Sequence, residues 1–144
     1  MDTTTHTTHH RALPPELIAS LEPPGSLGAH GEALAAHHLV ADDRLVIVER
    51  NWRLSTGELR GELDLLAHDP RDGALVVCEV KTRRDAQRFG GAVAAVDARK
   101  QARIRSLTAA FLRTSDRRYP RIRLDLVAID LGHRPQLSHL VGVL

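Results

Sequence analysis

Glu62, Asp64, Glu79 and Lys81 are charged residues set inside two otherwise apolar runs, Gly61-Glu62-Leu63-Asp64-Leu65-Leu66-Ala67 and Leu75-Val76-Val77-Cys78-Glu79-Val80-Lys81. Ions are costly in such surroundings unless they are paired, hydrogen-bonded or bound to a metal, so their placement marks a site. If both runs are strands, alternation puts Glu62 with Asp64 on one face, and Glu79 with Lys81 on one face of the next strand. The segment His68-Asp69-Pro70-Arg71-Asp72-Gly73 is a turn sequence, which predicts an antiparallel hairpin. A turn centred between Arg71 and Asp72 sets Asp64 opposite Glu79 and Glu62 opposite Lys81, with Cβ atoms roughly 4.5–5.5 Å apart. Leu63, Leu65, Cys78 and Val80 are then expected on an apolar face that builds core.

Carboxylates held together this way suit Mg²⁺ or Mn²⁺, hard ions that favour oxygen ligands and keep several waters. Such an ion activates bound water and neutralises phosphate charge, and a fixed lysine adds a cation where negative charge develops. The combination is that of phosphodiester hydrolysis. The competing reading is structural, with ion pairs such as Glu62 to Lys81 closing the end of a sheet.

The elements that must carry these residues follow from periodicity. Leu27 to Val40 places Leu27, Gly31, Leu34 and His38 at helical spacing, with Ser26 as N-cap and Glu32 at the edge of the stripe. Leu45 to Arg50 reads as a strand running toward Asn51-Trp52-Arg53 and a turn at Ser55-Thr56-Gly57. The Glu58–Ala67 and Leu75–Lys81 strands come next. After Phe89-Gly90-Gly91, Ala92 to Arg113 is a helix with Val93, Val96, Ile104, Leu107 and Phe111 on one stripe. Lys100 falls in the middle of that stripe, so its stem either snorkels to the edge or its ammonium reaches the carboxylates or a phosphate. Strands at Arg121–Leu131 and about Ser138–Leu144 complete an order of one helix, three strands, one helix and two strands.

At 144 residues the chain fits one domain, and 42% hydrophobic with 26% charged residues is a globular composition. Residues 1–25, rich in Thr, His and Pro, are expected to be a largely disordered arm, with Leu17-Ile18-Ala19-Ser20-Leu21 able to dock or form one helical turn. His6, His9 and His10 belong to that arm and are read as solvated. Residues 26–144 form the domain. The N-terminus shows neither a basic region nor an apolar core, and no stretch reaches the roughly 20 apolar residues of a membrane helix, so a soluble, cytoplasmic protein is expected. The single cysteine, Cys78, is expected to pack as a small hydrophobe.

Net charge is only +2, but it is unevenly distributed. From Lys81 to Arg123 there are thirteen Lys/Arg against three acids, a local balance of +10, and the rest carries −8. A basic half of this kind suggests a polyanion, most commonly a phosphate backbone. Candidate contacts are Arg83, Arg84, Arg88, Arg99, Lys100, Arg103 and Arg105. With one Trp, one Tyr and two Phe, and with Trp52 and Phe111 in core-like contexts, base-stacking platforms are scarce, which favours recognition of backbone and shape.

Asp64 followed by Glu79-Val80-Lys81 resembles the PD-(D/E)xK signature of restriction-endonuclease-like nucleases, with Leu63-Asp64 in place of Pro-Asp. The wider set Gly31-Glu32-Ala33-Leu34-Ala35, Arg50-Asn51-Trp52-Arg53, Gly61 to Leu66, Cys78 to Arg83, Lys100-Gln101 and Arg123-Leu124-Asp125 resembles the YraN family of small bacterial proteins. The resemblance implies an α/β fold, a restriction-endonuclease-like αβββαβ core with a central mixed sheet flanked by helices. It implies catalytic positions at Asp64, Glu79 and Lys81; in the nuclease reading Asp64 and Glu79 ligate the metal, with Glu32 and Glu62 assisting. Glu32 resembles the upstream helical glutamate of archaeal Holliday-junction resolvases, enzymes that act as dimers, so a homodimer is implied by analogy. The expected activity is metal-dependent cleavage of DNA, including branched or repair-intermediate DNA. A nucleic-acid-binding protein that uses the same surface without cleaving, and a purely structural domain, remain as alternatives.

Overall fold

The computed structural model describes residues 7–55, 57–84 and 97–143. Its elements are β1 (Thr7–Ala12), α1 (Pro15–Ser20), α2 (Leu27–Ala41), β2 (Val46–Leu54), β3 (Gly61–His68), β4 (Leu75–Arg83), α3 (Ala98–Thr114), β5 (Ile122–Asp130) and β6 (Gln136–Val141). From α2 onward this is the expected order. The strands make one mixed sheet, ordered β1-β6-β5-β4-β3-β2, in which only β4 and β5 run parallel. The fold is α/β and consistent with a restriction-endonuclease-like core.

β4 and β5 read as nearly continuous apolar runs because both faces of the sheet are covered there. On one face Leu34, Ala35, Ala36 and Leu39 of α2 pack with Leu65, Ala67, Val76, Cys78, Val127 and Ile129. On the other, Ile104, Leu107 and Phe111 of α3 pack with Leu63, Leu66, Leu75, Val77 and Leu126. Trp52 joins this second core, edge to face against Phe111 at 5.6 Å between centroids. Cys78 is fully buried, and burial pushes its thiol well up, as expected of a packed hydrophobe.

Two local devices fix the helices that carry site residues. Ser26 caps α2, its Oγ accepting from the Ala29 N–H, and Gly31 lies directly over Thr82, whose side chain occupies the place a Cβ would need. That close approach brings the first turns of α2 down onto β4. Asp97 caps α3 in the same way, accepting from the Lys100 N–H at 2.8 Å. The structure begins α3 at Ala98, whereas periodicity extended it back to Ala92. Arg88, the Phe89-Gly90-Gly91 break, Val93 and Val96 lie outside the described residues.

The expected disordered arm is corrected over most of its described length. Thr7–Ala12 forms a fully exposed strand paired with β6, from Thr7 opposite Val141 to Ala12 opposite Gln136. Its composition looked solvated because it buries no side chain; backbone hydrogen bonds to an otherwise open sheet edge hold it. His10 Nδ1 lies 2.8 Å from Ser138 Oγ, and His9 faces His139. Leu13 is buried, while Leu17, Ile18 and Leu21 pack on the α2-side core, so the apolar patch docks and also forms a helical turn. Among the described residues, no helix is long and apolar enough to cross a membrane.

Candidate metal and phosphodiester site

The hairpin keeps the register read from the turn: Leu65 opposite Cys78, Leu66 opposite Val77, Ala67 opposite Val76 and His68 opposite Leu75. The ladder then stops at Leu65, one residue short of the acids. At that point the Oδ2 of Asp64 accepts from the Val80 N–H at 2.9 Å. A side chain thus replaces a rung. The same divergence breaks the alternation of β3, so Leu65 packs under α2 while Leu63 packs under α3, not on one face as expected. On β2, Asn51 adopts φ 51° between the Arg50–Leu65 and Trp52–Leu63 pairs, a left-handed kink beside Asp64.

The kinked, separating strands bring carboxylates together from two elements. One oxygen each from Glu32 of α2 and Glu62 and Asp64 of β3 lie within 4.8 Å of one another, all three residues half-buried. Asn51 bridges two of them. With its amide nitrogen turned to the acids, the assignment that gives both carboxylates a donor, Nδ2 lies 3.1 Å from Glu62 Oε1 and 3.1 Å from Glu32 Oε2. A cleft of about 240 Å³, lined in part by Arg50, Asn51 and Glu32, opens beside the group.

Glu79 lies next to this triad, on the α3 face of β4. Its Oε1 is 2.7 Å from Lys100 Nζ and 3.5 Å from Lys81 Nζ. Lys100 therefore reaches the carboxylates, which resolves the choice left by helical periodicity. The Glu62 to Lys81 ion pair of the competing structural reading does not form: Glu62 Oε2 accepts from Arg53 Nε at 2.8 Å, and Lys81 turns to Glu79 on its own strand. The parted strands leave each residue to the nearer partner.

The electrostatics follow from this crowding. Burial, the Glu79 charge and the Glu32 charge lift the Asp64 carboxyl to about 7, against the Val80 hydrogen bond that lowers it. Glu32 is raised too, by burial and then by Glu62. Burial and the neighbouring Lys100 push Lys81 down. For Lys100 burial acts downward, but its hydrogen bond to Glu79 prevails and the ammonium is held more firmly. Carboxylates that resist ionising together, with one oriented by a backbone N–H, fit an oxygen-liganded dication.

Not every candidate residue joins the site. Lys100 does, and Arg103 lies close by, its Cδ 3.6 Å from the Cβ position of Gly61, the residue before Glu62. Arg83, Arg84 and Arg99 are exposed. Arg105 points elsewhere, into an open groove of about 410 Å³ shared with Thr108, Ile122 and Arg123.

A second polar cluster went unassigned in the sequence reading. Asp125, fully buried in β5, accepts from Arg123 Nε at 3.0 Å and from the Gly142 N–H at 2.9 Å, and lies 2.8 Å from His139 Nε2. His139 continues to His38, and His38 to Asp42, each at 3.0 Å. Arg123 also reaches Asp69, which the Arg71 hydrogen bond holds down at about 2. Burial alone would raise Asp125, yet the His139 and Arg123 hydrogen bonds keep it low. This chain ties α2, the β3–β4 turn, β5 and β6 together. Its signal in the sequence was the same as for the acids, a charge within the run Leu124-Asp125-Leu126-Val127.

Comparison with known proteins agrees with the resemblance read from the motifs. The profile of "Uncharacterised protein family UPF0102" matches residues 31–129. A UPF0102 protein of Rhodococcus jostii (strain RHA1) is 45% identical over 117 residues, covering 80% of this chain and 92% of that protein. A UPF0102 protein of Mycobacterium sp. (strain JLS) is 41% identical over 120 residues, 82% of this chain and 84% of that one. A third, from Nocardia farcinica (strain IFM 10152), is 43% identical over 129 residues, 88% and 95% of the two chains. None of these names states an activity.

Proposed function

The chain belongs to the UPF0102 family, and on that premise we propose that it is a metal-dependent nuclease hydrolysing phosphodiester bonds of DNA, with branched or repair-intermediate DNA as its substrate class. The observation that carries this reading is the convergence of Glu32, Glu62 and Asp64 within 4.8 Å, beside Glu79, Lys81 and Lys100. Asp64 and Glu79 would hold Mg²⁺ or Mn²⁺, with Glu32 and Glu62 assisting. When bound, the ion supplies Lewis-acid activation of water and neutralisation of phosphate charge. The Val80 N–H orients Asp64. Lys81 stabilises charge developing on the phosphate, while Lys100 holds Glu79 against it. Arg83, Arg84, Arg99 and Arg103 supply phosphate contacts from exposed positions. A homodimer would present two such sites to paired strands.

A second reading has its own support in the double pairing of Glu79 with Lys100 and Lys81, the arrangement of a structural ion-pair network on a non-cleaving nucleic-acid-binding surface. One experiment separates the two. Purified protein is incubated with duplex, branched and single-stranded DNA, and with RNA, in Mg²⁺, Mn²⁺ or EDTA. The nuclease reading expects EDTA-sensitive products that fall at least about 100-fold in Asp64→Ala, Glu79→Ala and Lys81→Ala. Products that persist unchanged in all three variants, or salt-sensitive binding with no metal-dependent product, would overturn it.

A further inference from the structure

We infer that Asn51 is the positioning residue of the acidic site, its single amide group fixing Glu32 and Glu62 at the separation at which a divalent cation takes both. The inference rests on the metal-site reading above and extends it to a residue outside the ligand set. Glu32 comes from a helix and Glu62 from a strand, so no backbone hydrogen bond sets the distance between them. Two carboxylates facing one cleft repel, and unaided they would swing apart toward water. A primary amide has two N–H donors in one plane, so it satisfies one oxygen of each acid at once, here at 3.1 Å and 3.1 Å. A lysine would serve worse, because a fixed cation between the acids competes with a metal for the same charge.

The backbone points to the same role. Asn51 sits at φ 51° in the middle of β2, a conformation that costs most side chains roughly 1–2 kcal/mol and that Asn tolerates better than others. A strand interior does not need this kink for its own hydrogen bonds. The kink falls where β2 passes Asp64, and Asn51 itself lines the cleft beside Glu32. The neighbouring Arg53 then takes the other oxygen of Glu62, leaving Oε1 to the amide. Supporting residues of this kind orient ligands without touching the metal.

The test uses the full chain with Asn51→Gly and Asn51→Ala. Gly removes the amide and accepts the left-handed backbone freely, whereas Ala removes the amide and also strains the backbone. Mn²⁺ affinity is measured by calorimetry, and Tm is recorded for each protein without metal. Both variants should bind Mn²⁺ ten- to a hundredfold more weakly than wild type, while only Asn51→Ala loses several degrees of Tm. If Asn51→Gly binds Mn²⁺ as wild type does, or if affinity merely follows Tm across the pair, the positioning role is overturned and the metal site stands. If the wild type itself binds no Mn²⁺, the metal-site reading fails and this inference with it.

Discussion

Replacing Asp64 by Asn should stabilise the metal-free protein above neutral pH, an unusual outcome for a substitution at a partly buried position. The Asp64 carboxyl is lifted from an ordinary 3.8 to about 7, first by burial and then by the charges of Glu79 and Glu32. A raised carboxyl binds its proton more tightly in the native state than in the unfolded chain. Its favourable contribution is therefore complete below pH 3.8 and disappears as pH rises through about 7. At about 1.4 kcal/mol for each tenfold step, the loss by pH 8.5 has a ceiling of about 4 kcal/mol. Water entry and side-chain relaxation in a half-open site reduce this, and about 1–2 kcal/mol is the expected gain for the variant. Asparagine keeps an oxygen to accept the Val80 N–H, removes the charge, and offers Glu79 a donor.

The assay is thermal and urea unfolding of both proteins in EDTA from pH 5 to pH 8.5. At pH 5 native Asp64 is still protonated but the unfolded carboxyl has already ionised, so about a third of the full separation between the two curves is expected there. They should separate by roughly 3–8 °C at pH 8.5 in favour of the variant. Added Mn²⁺ reverses the order, since a ligand at a hundred times its dissociation constant stabilises the wild type by about 2.7 kcal/mol and the variant has lost a ligand. A variant less stable than wild type at pH 8.5 in EDTA would refute the reasoning. So would a gain as large at pH 5 as at pH 8.5, because the effect would then owe nothing to ionisation.

Two further outcomes concern the frame around the site. Gly31→Ala should cost about 1–3 kcal/mol in urea unfolding, because the added methyl meets the Thr82 side chain and α2 must lift from β4. Thr82→Ala should rescue it only in part: it removes Oγ1 and Cγ2, but the Thr82 Cβ still lies 2.8 Å from the new methyl position. Asp125→Ala should cost about 3–5 kcal/mol, read as a lower urea midpoint, because it leaves Arg123 short of its main partner and His139 without its acceptor.

The hairpin register was legible because both acid pairs are symmetric about one turn, and the strands keep that count through Leu65 and Cys78. What the acids contact past that point was not legible, because it depends on where the ladder ends. That end is set by a side chain, Asp64 on the Val80 N–H, and by the left-handed Asn51 on the next strand. β1 was missed for a different reason: pattern reading weighs burial, and an edge strand of Thr and His held by backbone bonds buries nothing. Lys100 was placed correctly on the inner stripe of its helix, but only the tertiary structure could show that its ammonium reaches Glu79.

The rule that a charge inside an apolar run marks a site finds Asp125 as readily as Asp64, so by itself it cannot separate a structural ion from a chemical one. The partners separate them. Asp125 is met by Arg123, His139 and the Gly142 N–H, and these donors hold its carboxyl low in spite of burial. Its charge is fully answered within the fold, and a cation would gain little there. Asp64 has one backbone N–H, and Glu79 and Glu32 crowd it, so burial and repulsion hold its carboxyl high. A buried acid crowded by other acids ionises more readily when a further cation joins them, and a divalent ion would supply one. The direction in which the fold moves each carboxyl is therefore the physical reason to propose a metal at Asp64 and none at Asp125.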